Sequence, residues 1–120
     1  MNCDDSSRSK RPDDSRLTVG NALASLQGED AAFKTMFEHG TLAIEMYKPV
    51  EVDHQTLHSR DEVYVIASGA GMFLSGEIEQ AVVVGEVLFV PAGVDHRFFD
   101  FTEDFSTWVF FYGPQGGESK

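Results

Sequence analysis

Residues 53–69 read DHQTLHSRDEVYVIASG, and residues 85–100 read GEVLFVPAGVDHRFFD. Each stretch sets a histidine beside an apolar run. His58 precedes Glu62 by four positions, so the two share strand parity and can face one side. Ser59, Arg60 and Asp61 between them are polar and turn the chain. In the second stretch the corner Pro91-Ala92-Gly93 comes just before His96 and aims it. Two imidazoles and one carboxylate can form a triad with open coordination positions, as a catalytic metal needs. By spacing alone, a surface or structural hydrogen bond is the plainer reading of His58 and Glu62.

Outward from these stretches the apolar residues keep a period of two. Short β-rich runs follow one another: AFKTMF, TLAIEMY, VYVIA, GMFL, AVVV, VLFVP, HRFFDF and STWVFFY. Glycines 40, 69, 71, 76, 85 and 93 and prolines 49 and 91 separate them. Many short strands between glycine turns predict a sandwich or barrel. Ser75-Gly76 reads as a hairpin turn. Gly69 and Gly71 flank a tight reversal that calls for positive φ. Ahead of the strands, Leu17, Ala22, Leu23 and Leu26 form an apolar stripe at helical spacing. Thr18 is the expected N-cap and Gly28 the expected stop. The expected organisation is a flexible tail over 1–16, one folded domain over 17–113 and a flexible C-terminus over 114–120.

The chain has 120 residues and a net charge of −11, which suits one domain with one core. Residues 1–16 carry four acids and four bases, which cancel, so the whole charge lies on the folded part. Such a surface repels phosphate backbones and anionic lipid, so neither nucleic acid nor membrane is the expected partner. No run of about 18 apolar residues is present. Cys3 is the only cysteine, so no internal disulfide can form. The opening residues lack an apolar signal core, and a reducing cytoplasm is the expected compartment.

The two stretches resemble the two sequence motifs of the cupin superfamily. The first motif is glycine, five residues, His-x-His, three or four residues, glutamate, six residues, glycine. His58, Glu62 and Gly69 fit its second histidine, glutamate and closing glycine. The second motif is glycine, five residues, Pro-x-Gly, two residues, histidine, three residues, asparagine. Gly85, Pro91, Gly93 and His96 match it, and Asp100 stands in the asparagine's place. Residues 70–84 separate the motifs, and the resemblance covers about residues 41–112. Two positions depart: Val50 stands where the opening glycine falls, and Thr56 where the first histidine falls. His54 and Gln55 are the candidates to complete the site. In an extended strand His54 lies about 13 Å from His58, so it could join only through a bulge. A rim position or turn hydrogen bond is the plainer role for both.

The resemblance implies an all-β, double-stranded β-helix (a jelly-roll barrel) behind a short N-terminal helix. It implies a homodimer and a site of His58, Glu62 and His96 holding one divalent ion (Fe, Zn, Mn or Ni). Tyr64 shares parity with Glu62 and should look inward, either as an acid/base helper or as a core tyrosine. Asp100 is an acceptor that fixes a histidine tautomer or, more plainly, a loop acid that caps a turn. Arg97, at opposite parity, is expected in an outer-face salt bridge, and His39 at the surface. In STWVFFY either the even or the odd residues line the cavity. The expected function is a metal-dependent enzyme on a small metabolite, either a dioxygenase or an isomerase or lyase. The alternatives are a non-catalytic small-molecule-binding cupin and a metal-free sugar-binding cupin.

Overall fold

Each β-rich run becomes a strand in the computed structural model, which describes residues 16–29, 31–53 and 58–119. The strands are β1 (Phe33–His39), β2 (Leu42–Tyr47), β3 (Asp61–Ser68), β4 (Ala70–Ser75), β5 (Ile78–Val83), β6 (Val87–Val90), β7 (His96–Phe99) and β8 (Ser106–Tyr112). Helix α1 spans Val19–Glu29. Thr18 caps it as expected: its Oγ1 accepts from the Asn21 N–H at 3.2 Å. The helix runs one residue past Gly28. Positions 1–15, including Cys3 and most of the expected tail, lie outside the described residues, as do His54, Gln55 and Thr56.

Two antiparallel sheets form, ordered β1-β2-β8-β3-β6 and β5-β4-β7. This is an all-β jelly-roll fold. Among the described residues no ladder joins the sheets, so the barrel is open rather than hydrogen-bonded all round. Alternation on β3 and β8 sorts the side chains. Tyr64, Ile66 and Val109 enter the inter-sheet core with Phe73, Phe98 and Phe105. Trp108, at opposite parity, packs instead with Met46 against Ala22 and Leu26 of α1. The odd residues of β8 therefore serve the cavity side, and Trp108 serves the helix.

Two glycines act for different reasons. Gly69, between β3 and β4, has φ +74°, and a Cβ there would stand 2.7 Å from the Phe105 Cα. Gly71 needs no positive φ. A Cβ on it would stand 2.7 Å from the Phe101 Cβ, so close packing is its constraint. The Ser75-Gly76 hairpin is present, with Ser75 paired to Ile78 and Gly76 at φ +60°.

Several ties fix the segment leading into β3. The Gly93 N–H donates to the His58 carbonyl at 2.8 Å. The Ala92 N–H donates to Asp61 Oδ1 at 2.9 Å. From the C-terminal side, Gly116 N–H donates to the Ser59 carbonyl at 2.6 Å and Glu118 N–H to Asp61 Oδ2 at 2.8 Å. The Pro-x-Gly corner thus holds His58's backbone as well as presenting His96.

Candidate metal centre

β3 carries Glu62 and Tyr64 inward, β7 begins at His96 on the opposite sheet, and His58 sits just before β3. Glu62 is 1% exposed and His96 3%. His96 Nε2 stands 2.6 Å from Glu62 Oε1. His58 Nδ1 stands 3.2 Å from Glu62 Oε2. The hydrogen bond of His58 is nevertheless made to Oε1, at 3.3 Å. That leaves Glu62 Oε2 buried with no hydrogen-bond donor aimed at it among the described residues.

His96 Nδ1 lies 2.8 Å from the Val94 carbonyl. That acceptor requires the proton on Nδ1, so Nε2 faces the site. Burial opposes charge on both partners of the His96–Glu62 pair, yet their mutual hydrogen bond and attraction win. Glu62 is desolvated, but the hydrogen bonds and charges of His58 and His96 hold its carboxyl below the ordinary 4.5. His96 is desolvated too, but Glu62, the Val94 carbonyl and Asp53 lift it above the ordinary 6.5. The Tyr64 hydroxyl lies 3.3 Å from Glu62 Oε1 and 3.0 Å from His96 Nε2. Tyr64 itself is 0% exposed.

One donor atom from each of His58, Glu62 and His96 lies within 4.8 Å of the other two, so this group could hold a metal ion. The donor set fits a divalent cation, because it offers two imidazole nitrogens and a buried carboxylate oxygen with no donor of its own. Of the three, only His58 lines the adjacent cavity, which has a volume of about 620 Å³. Phe111 lines it too, and its ring meets the His58 ring edge-on at 4.9 Å. Among the described residues, the sequence-predicted ligands come together.

Other expectations fare differently. Asp100 is exposed with φ +50°, a turn conformation that Asp and Asn tolerate. It is not the acceptor for His96 Nδ1, since Val94 supplies that. Arg97 is exposed on the outer face, but it makes no salt bridge among the described residues. Its guanidinium lies over the Phe99 ring, 5.7 Å from the centroid. His39 is exposed, as expected. The sequence reading passed over Glu45, which lines the cavity from β2. It also passed over Asp53, whose buried carboxylate accepts from the Tyr47 hydroxyl at 2.5 Å and the Phe98 N–H at 2.8 Å. The available signal for Glu45 was an acid at inward parity between Ala43 and Tyr47.

The chain matches no protein-family model. It is 32% identical over 88 residues to the uncharacterized protein SCO3923 of Streptomyces coelicolor, covering 72% of this chain and 84% of that protein. It belongs to one family with that protein. A cupin-2 domain protein from Shewanella frigidimarina superposes with TM-score 0.64 over 84% of this chain and 99% of that one, at 18% identity. The chain has the cupin fold. The same fold is that of KdgF from Halomonas sp., with TM-score 0.59 and 15% identity over 68% of this chain and 80% of that chain. The DMSP lyase DddQ of Ruegeria pomeroyi matches at TM-score 0.60 and 23% identity, over 82% of this chain and 55% of that chain.

Proposed function

We propose that this cupin is a metal-dependent enzyme of the isomerase or lyase type, acting on a small molecule held in the cavity beside His58. The observation that carries the reading is the convergence of His58, Glu62 and His96 donor atoms within 4.8 Å. A bound divalent ion (Zn, Mn, Ni or Fe) supplies Lewis acidity and open coordination positions. His96 offers Nε2 because Val94 holds the proton on Nδ1. The buried Glu62 contributes the negative charge. Tyr64 is the proposed acid/base group: its phenol donates to Glu62 Oε1 at 3.3 Å, which holds its proton beside the metal ligands. Phe111 and Val109 keep the cavity wall dry next to His58. The hydrogen-bonded phenol supports proton transfer over oxygen chemistry, and the lyase named among the structural neighbours supports the same class.

We also propose a homodimer. β1 and β6 are open edges of the larger sheet, and Val87 and Phe89 on β6 are 64% and 54% exposed.

The test is elemental analysis of protein purified without chelator or metal-binding tag. About one equivalent of zinc, manganese or nickel is expected, lost in His58→Ala and Glu62→Ala, and it directs elimination and isomerisation assays. One equivalent of iron with substrate-dependent oxygen uptake moves the reading to a dioxygenase. No metal, and none taken up on titration, overturns the metal reading and leaves a ligand-binding cupin.

A further inference from the structure

Glu45 is an acid where an apolar residue packs more cheaply. It lies on β2 opposite Val109 of β8 and Thr35 of β1, and its side chain lines the cavity of about 620 Å³. Around it the wall is largely apolar, with Phe33, Tyr47, Val109 and Phe111. Its one hydrogen bond among the described residues comes from Thr35 Oγ1 at 3.4 Å, near the limit of a useful contact. A half-buried carboxylate so weakly held costs stability relative to an apolar side chain at the same place. Its carboxyl is held above the ordinary 4.5, chiefly by desolvation and against the Thr35 hydrogen bond. Arg60, which also lines the cavity, is tethered by a 2.6 Å bond from Nη1 to the Thr41 carbonyl.

We propose that Glu45 is the specificity-determining residue of this cavity, accepting a hydrogen bond from a hydroxyl or ammonium donor on a ligand with an apolar body. The inference rests on the reading of the cavity as a substrate site and names its substrate class. The apolar body lies against Phe33 and Phe111, and the donor end meets the Glu45 carboxylate. A ligand with a carboxylate at that end is disfavoured by like charge. The cavity volume lies within the range that holds a small metabolite.

The test uses four probes of matched body: 2-phenylethanol, 2-phenylethylamine, ethylbenzene and phenylacetate. Each is titrated against the protein as purified, with amide chemical shifts as the readout and metal content measured on the same samples. The alcohol and the amine are expected to bind about tenfold tighter than ethylbenzene and phenylacetate, the worth of one charge-assisted hydrogen bond. Glu45→Leu should reduce that preference to within about twofold while raising the melting temperature, because it removes a poorly satisfied acid. Glu45→Gln should keep the alcohol and lose the advantage of the amine. Phenylacetate binding as tightly as the alcohol overturns the proposal and points to Arg60. A donor preference that survives in Glu45→Leu overturns it, and so does the absence of any shift at about 10 mM probe. Loss of metal uptake with an intact donor preference sinks the metal reading alone, whereas intact metal with no preference sinks the role of Glu45 alone.

Discussion

Glu62 and His96 titrate in opposite directions on folding, and the signs set a stability window for the metal-free protein. His96 is raised above 6.5, so its contribution is full below 6.5 and is lost as pH rises through the raised value. Glu62 is lowered below 4.5, so its contribution is full above 4.5 and is lost as pH falls through the lowered value. The pair therefore stabilises the metal-free protein fully between 4.5 and 6.5 and less on either side. Urea unfolding across pH should show this plateau, and His96→Gln should flatten the alkaline limb. Metal uptake runs the other way. It requires a neutral His96, so affinity should climb as pH rises through the raised value, higher than the window near pH 6 of an ordinary histidine. Uptake indifferent to pH between about 5 and 8 would remove His58 and His96 as ligands.

Short elements aim these residues, and each depends on a few backbone ties. The turn from β3 to β4 passes through Gly69 at φ +74° against the Phe105 backbone. Gly69→Ala should cost about 3 kcal/mol, because strain and a backbone clash coincide. Denaturant midpoints at constant slope are the check, and a loss under about 0.5 kcal/mol would show that the turn relaxes. Asp53 joins the segment after β2 to β7 through Tyr47 and Phe98. Asp53→Ala should cost about 2–3 kcal/mol, since it removes the carboxylate that accepts from the Tyr47 hydroxyl and the Phe98 N–H. The same change should loosen Pro49, Val50 and Val52, which line the cavity. Faster amide exchange over residues 49–52 would report it, and unchanged exchange would confine Asp53 to stability.

At the scale of the whole molecule, the charge of −11 and the open sheet edges act together. The charge opposes association, and the exposed Val87 and Phe89 favour it. Light scattering should give twice the chain mass at micromolar concentration, and Phe89→Lys should shift it towards the monomer. A monomer at every concentration would sink the homodimer. No helix among the described residues is long and apolar enough to cross a membrane.

The amino-acid sequence by itself determined the strand runs, the capped helix and the shared parity of Glu62 and Tyr64. These are local properties: side-chain period, turn chemistry and capping act over a few residues. It also marked His58, Glu62 and His96, because two motifs with fixed internal spacing carry them. What only the tertiary structure decided are the contacts between distant segments. The Gly93 N–H holds His58, the Val94 carbonyl sets the His96 tautomer, and Asp53 bridges two sheets. Glu45 was illegible for the same reason. An acid in an alternating strand shows its parity, but whether that side meets solvent or an apolar cavity depends on how the strands and loops are placed around it.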